Sequence, residues 1–140
     1  MALWKLFEYV DANGKNWFGD WYNEQDPAVQ AAFDSTWYIL RSKPKEGWTD
    51  RDVEEFKVLT NRNQGLGEIR FQYVVQSKGK DHKRRFRPVG PWPTNGNNFV
   101  ILRGCEKHHK GTYIPAGAFD LAQKQAADLA KGKGSIRERI

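Results

Sequence analysis

The chain has 140 residues, 29% of them charged and 14% aromatic, a length and mix that suit one folded domain and not a disordered tail. Its net charge of +6 is unevenly placed: residues 1–60 hold 7 Lys and Arg against 11 Asp and Glu, a net of −4, whereas residues 61–140 hold 16 against 6, a net of +10. No apolar run approaches the roughly 20 residues that cross a bilayer, which removes membrane functions. With no secretory leader pattern and a single cysteine, Cys105, unable to form an internal disulfide, the chain reads as cytoplasmic.

Residues 3–10 are rich in β-formers and end at the turn signal Asp11-Ala-Asn-Gly14, which predicts an opening strand. Asp26 followed by Pro27 predicts a helix cap and first turn, with Val29, Phe33, Thr36, Trp37 and Leu40 along one face and a stop near Ser42, ahead of Pro44. Thr49 to Asp52 resembles a capping box, so Val53, Phe56 and Leu59 read either as a short second helix or as an extended segment. From Glu68 the period becomes two, with Ile69, Phe71, Tyr73 and Val75 on one face and Glu68, Arg70 and Gln72 on the other. Residues 77–83 read as a loop holding His82. A Gly/Pro/Asn-rich loop over residues 90–97 then precedes Phe99, Val100, Ile101 and Leu102, which read as a strand buried on both faces. Pro115 is expected to open a last helix whose apolar stripe is Phe119, Ala122, Ala126 and Leu129. The expected fold class is α+β, a twisted antiparallel sheet with N-terminal helices packed on it and a C-terminal helix. Residues 1–134 read as the domain and residues 135–140 as a basic tail that is free to move.

Several chemistries have no footing in this pattern. Gly65-Leu-Gly67 precedes a strand where a dinucleotide fingerprint needs a helix. Cys105, His108 and His109 lack the fourth ligand and paired spacing of a structural zinc, so neither a metal site nor a cofactor is expected. No nucleophile motif for acyl chemistry occurs. What remains is a basic cluster on or just past the strands: Arg70, Arg85, Arg87, Arg103, Lys107, His108, His109 and Lys110, with Lys83 and Arg84 beside it. Neighbouring antiparallel strands place side chains about 5 Å apart on one face, so Arg70, one of Arg85 and Arg87, and Arg103 can converge on a phosphate. Cutting RNA without a metal needs a base for the 2′-hydroxyl, cations for the charge growing on phosphorus oxygens, and an acid for the leaving 5′-oxygen. Arginines suit the second role and a histidine the first or third. A phosphate-binding surface without catalysis is the alternative. Trp92, between two prolines, and Tyr113 are the rings placed to stack on splayed bases.

The local sequence resembles the RelE/HigB-like toxins of toxin–antitoxin modules, in particular the phage-derived HigB-type branch. The likeness runs from about Val29 to Leu129. It rests on Gly65-Leu-Gly-Glu-Ile-Arg70, on Arg85-Phe-Arg87, and on Val100-Ile-Leu-Arg-Gly-Cys-Glu-Lys107 followed by Lys110, Thr112 and Pro115. The resemblance implies a RelE-like fold and a metal-independent mRNA endonuclease acting in the cytoplasm, commonly on the ribosome, and restrained by an antitoxin protein. Arg70, Arg85 or Arg87, and Lys107 match the family's basic positions, and His108 or His109 would move protons. His108 and His109 stand where many relatives carry lysine or threonine, and the segment before Asp26 is longer than usual. The related ParE-like branch poisons gyrase on the same fold without cutting RNA.

Overall fold

The computed structural model describes residues 3–108 and 111–140. The fold is α+β. Strand β1 (Lys5–Val10) leads into helix α1 (Trp17–Asn23), capped by Asn16, whose Oδ1 accepts the Gly19 N–H at 2.8 Å. Helix α2 (Pro27–Leu40) starts at its proline and buries Val29, Phe33, Thr36 and Leu40 of the stripe its spacing predicts, with Trp37, the remaining member, partly buried. After a single turn, α3 (Lys45–Trp48), the chain passes through a turn at residues 50–53, closed by the Val53 N–H on Asp50 O at 3.0 Å, into β2 (Phe56–Val58), so the capping-box pattern at Thr49 starts no helix. Strands β3 (Leu66–Ile69), β4 (Phe71–Ser77), β5 (Lys80–Phe86), β6 (Val89–Pro91), β7 (Asn98–Ile101), β8 (Glu106–Lys107) and β9 (Tyr113–Ile114) follow, then helix α4 (Ala118–Ala130) and β10 (Ser135–Glu138).

In place of the one antiparallel sheet expected, three small sheets form, in the orders β10-β1-β7, β2-β3-β6 and β4-β5-β8-β9, because turns and breaks between the strands interrupt the pairing. The pairings are antiparallel except for β1 with β7, which is parallel. Four local expectations change. The strand expected to run on from Glu68 breaks at Arg70, whose N–H is taken by Glu55 O at 2.7 Å, so β3 and β4 join different sheets. The loop expected over residues 77–83 is a two-residue hairpin turn, Lys78 and Gly79 at φ 53° and 73°, and His82 lies in β5 opposite Val75. Pro115 follows β9 across a cis peptide, three residues before α4. Residues 135–138, read as part of a tail, are a strand on β1, and Arg137 and Arg139 reach the buried Glu8 carboxylate at 3.2 and 2.6 Å.

Two clusters of side chains hold the sheets between helices. On the α2 side, Phe33 and Leu40 pack with Trp4, Phe18, Trp48, Phe56, Ile69, Phe71, Phe86 and Phe99. Trp48 is 0% exposed, stacks on Trp4 at 4.2 Å and donates its indole N–H to Leu40 O at 2.9 Å. Burying a ring of that size stabilises the fold by about 4–6 kcal/mol at 25 cal/mol per Å2. On the opposite side, Ala122 with Phe119, Ala126 and Leu129 of α4 covers Tyr9, Leu66, Val89 and Leu102. Between β6 and β7 a Cβ on Gly90 would sit 1.8 Å from Val100 O, so no side chain fits there.

Candidate nucleic-acid interface

Strand alternation divides the basic residues between two faces. The pairings Gln72 with Arg85, Arg85 with Lys107, and Lys107 with Tyr113 form one rung across β4, β5, β8 and β9. The next rung, Phe71 with Phe86, Glu106 and Ile114, belongs to the other face, where Phe71 and Phe86 join the α2-side core. Arg85, Lys107 and Tyr113 therefore share the face away from the α2-side core, the α4 side, where Tyr113 meets Phe119 at the start of α4. Opposed side chains in such a rung stand about 5 Å apart. Lys83, two residues before Arg85, lies on the same face and is exposed.

Beside this rung sits a compact charge cluster. Glu68, 2% exposed, lies 2.6 Å from Arg70 Nε and 3.3 Å from Arg87 Nε, both through Oε2. The Arg70 contact is a hydrogen bond; the Arg87 contact is a charge pair without hydrogen-bond geometry, and Arg87 Nη1 donates to Phe86 O at 2.8 Å. Burial pushes the Arg87 guanidinium down from its ordinary value, and the Glu68 charge opposes that. The half-buried Tyr113 phenol is pushed up by burial and by the Glu68 charge, partly offset by Arg87 and Arg70. Its ring meets Phe119 edge-on at 4.4 Å. A cleft of about 460 Å3 lined by Glu55, Arg70, Gln72 and Arg87 opens on one side, and one of about 400 Å3 lined by Arg62, Asn63, Tyr113 and Phe119 opens on the other.

Arg70, Arg85, Arg87, Lys107, Lys83 and Tyr113 thus come together, and both arginines of the Arg85/Arg87 pair belong to the group. Glu68 is the member that sequence reasoning missed. Period two had set it on the polar face with Arg70 and Gln72 and gave it no role, and the signal that marks it is Arg70 two residues on, in a run where Leu66, Gly67 and Ile69 are all buried. Other predicted members go elsewhere. Arg84 faces the α2 side and is held bidentately by Glu106 at 2.7 and 2.9 Å. His108 stands by the same carboxylate, Nε2 to Oε2 3.5 Å, on the face away from Arg85. Trp92 is no free stacking platform: its ring packs into the core at 5.0 Å from Phe56 and 5.9 Å from Trp4. Arg103 is buried against α4 and bonded to Gln125 at 2.8 Å. His109 and Lys110 lie outside the described residues.

Two arginines on one buried carboxylate, with Arg85, Lys107 and a phenol in the rung beside them, can hold a phosphodiester and have a proton at hand. No family model, curated protein or solved structure matches this chain. Among the described residues no three His, Cys, Asp or Glu side chains are grouped to hold a metal ion, and no helix is long and apolar enough to cross a membrane. The Cys105 thiol is buried, its Sγ 3.1 Å from Arg87 O, and burial pushes it up to about 12.

Proposed function

We propose that this chain is a cytoplasmic RelE/HigB-like toxin that binds mRNA on the α4-side face of its β4-β5-β8-β9 sheet and cuts it without a metal, commonly on the ribosome and under restraint by an antitoxin protein. The observation that carries the reading is the rung Gln72, Arg85, Lys107, Tyr113 with Arg70 and Arg87 beside it. The order of elements supports it too: after β1, helices α1 to α3 precede strands β2 to β9, and helix α4 follows them, with β10 last. In this reading Arg85 and Lys107 take the phosphate oxygens and Arg70 closes from the side. Arg87, with a side chain 10% exposed, acts beneath them through Glu68. Tyr113, held protonated by its burial, suits donating to the leaving 5′-oxygen.

A second reading, polyanion binding or gyrase inhibition without RNA cleavage, is favoured by one feature: among the described residues no imidazole stands on this face, His82 and His108 both lying on the other. Induced expression separates the two. A nuclease stops growth and leaves mRNA fragments with 5′-hydroxyl ends; Arg85→Ala with Lys107→Ala abolishes both effects and His108→Ala abolishes neither. Intact transcripts in arrested cells would remove the nuclease reading, and arrest with DNA breaks would point to gyrase.

A further inference from the structure

Arg103 is left over from the cationic face, and its surroundings are those of a site. The N–H groups of Leu102 and Arg103 both point at Val89 O, at 2.9 and 3.4 Å, two residues opposing one. Such a β-bulge re-aims side chains. Here it carries Arg103 away from Arg87 and against the flank of α4, where the residue is 5% exposed. Its Nε–H donates to Gln125 Oε1 at 2.8 Å, and the guanidinium carbon lies 4.8 Å from the centre of the Trp17 ring. Trp17 is itself fixed by its indole N–H to Asp11 Oδ2 at 2.9 Å, and Lys15 Nζ lies 3.8 Å from the same ring centre.

One edge of the guanidinium is therefore spent on an amide and one face lies on an indole. The two terminal amino groups have no hydrogen-bond or ion-pair partner among the described residues and are reached by water, since neither is a sealed atom. The other buried charges do have one: Glu8 has Arg139 and Arg137, and Glu68 has Arg70 and Arg87. A buried charge without a counter-charge is strongly unfavourable, and cation–π contact recovers a fraction of that cost. The free amino groups are not sealed in: Arg103 lines a cleft of about 260 Å3 between α1 and α4, with Tyr9, Trp17, Lys124 and Asp128 around it. None of Glu68, Arg70, Arg85, Arg87, Lys107 or Tyr113 lines it.

We propose that this cleft binds a small carboxylate, held bidentately by the free amino groups of Arg103 with the Trp17 ring behind them. The guanidinium fork matches two oxygens in one plane. Asp11 and Asp128 border the cleft with Lys124 as their one cationic neighbour besides Arg103, so a monoanion is favoured over a dianion, and about 260 Å3, at roughly 30 Å3 per water, has room for a small organic acid of up to about ten heavy atoms. The site is independent of the RNA reading, because it shares no residue with the cationic face.

The test is a titration of the intact wild-type chain with sodium acetate, against sodium chloride at equal ionic strength. It is read at the Arg103 Nε–H resonance, assigned through the backbone, and by Trp17 fluorescence. Saturable shifts with a Kd on the order of 1 mM are expected, the range open to a fragment of four heavy atoms. Arg103→Lys keeps the charge and loses the fork, so it should weaken acetate binding by about tenfold or more. The wild-type titration decides even if that variant folds poorly. Shifts no larger than those in chloride overturn the proposal. So does tighter saturation of the same resonance by inorganic phosphate or by a short oligoribonucleotide, which would make the cleft a phosphate site.

Discussion

Glu68→Gln isolates what the buried carboxylate does between its two arginines. The side chain of Arg70 is 32% exposed, so losing its charge partner there is screened by water and costs about 0–1 kcal/mol; the amide oxygen of glutamine still accepts its Nε–H. The side chain of Arg87 is 10% exposed and keeps a hydrogen bond to Phe86 O but no counter-charge, a situation that costs about 3–5 kcal/mol. The sum is close to 3 kcal/mol after the retained hydrogen bond is allowed for, or a melting temperature lower by about 10 °C at roughly 3 °C per kcal/mol for a chain of this size. The same substitution removes a negative charge from beside the cationic face, so single-stranded RNA should bind more tightly, with a salt dependence steeper by up to about one phosphate contact. Urea unfolding followed by tryptophan fluorescence gives the first quantity, and fluorescence anisotropy across a salt series gives the second. A variant within about 1 kcal/mol of wild type with unchanged RNA affinity would refute the view that Glu68 neutralises Arg87 and tempers the face.

Two further outcomes follow from buried titratable groups. Burial pushes the Glu8 carboxyl up, but hydrogen bonds from Asn16, Arg139 and Arg137 more than reverse this and leave it below its ordinary value of 4.5. A lowered folded value means the stabilisation is present above pH about 4.5 and lost as pH falls through the folded value, so the urea midpoint should fall in acid and amide exchange over residues 135–138 should quicken first. Glu8→Gln should start from a lower midpoint and flatten that acid limb; an unchanged limb would assign it to other carboxyls. With its thiol pushed up to about 12, Cys105 should resist disulfide reagents at pH 8 in the native protein and react on unfolding, whereas rapid stoichiometric labelling of the folded chain would contradict the burial.

The helices were legible because their information is local: Pro27 with its apolar stripe, and the spacing of Phe119, Ala122, Ala126 and Leu129, are read within one segment. What stayed hidden was set by distant backbone. Residues 135–138 are exposed throughout and carry one apolar side chain, so nothing local marks a strand; their pairing comes from β1, more than 120 positions earlier in the chain. The break at Arg70 depends on the carbonyl of Glu55, and Trp92 looked like loop because of its flanking prolines, although Trp4, Trp48 and Phe56 enclose it. The basic cluster was legible as a set of residue types and illegible as a site. Lys107 and His108 are adjacent in sequence and point to opposite faces, and Arg84 and Arg85 divide the same way. Register, which no single strand encodes, decides membership.

The length of α4 explains why a charged face exists at this place. Thirteen residues at 1.5 Å each span about 20 Å, enough to cover Tyr9, Leu66, Val89 and Leu102 and to end there. Among the described residues no helix lies over the adjoining β4-β5-β8-β9 sheet beyond Phe119, so apolar side chains there would meet water, and Gln72, Arg85, Lys107 and Tyr113 occupy those positions instead. At the boundary between covered and bare sheet, Glu68 and Arg87 are too deep to be solvated and must neutralise each other. That pairing fixes Arg87, and through the shared Oε2 it fixes Arg70, so two of the four cations are set before any ligand arrives. Arg85 and Lys107 project from paired strands whose backbone is held on either side, which limits the reorganisation a bound phosphate requires. On this argument, extending α4 by one N-terminal turn would close the face that its present length leaves open.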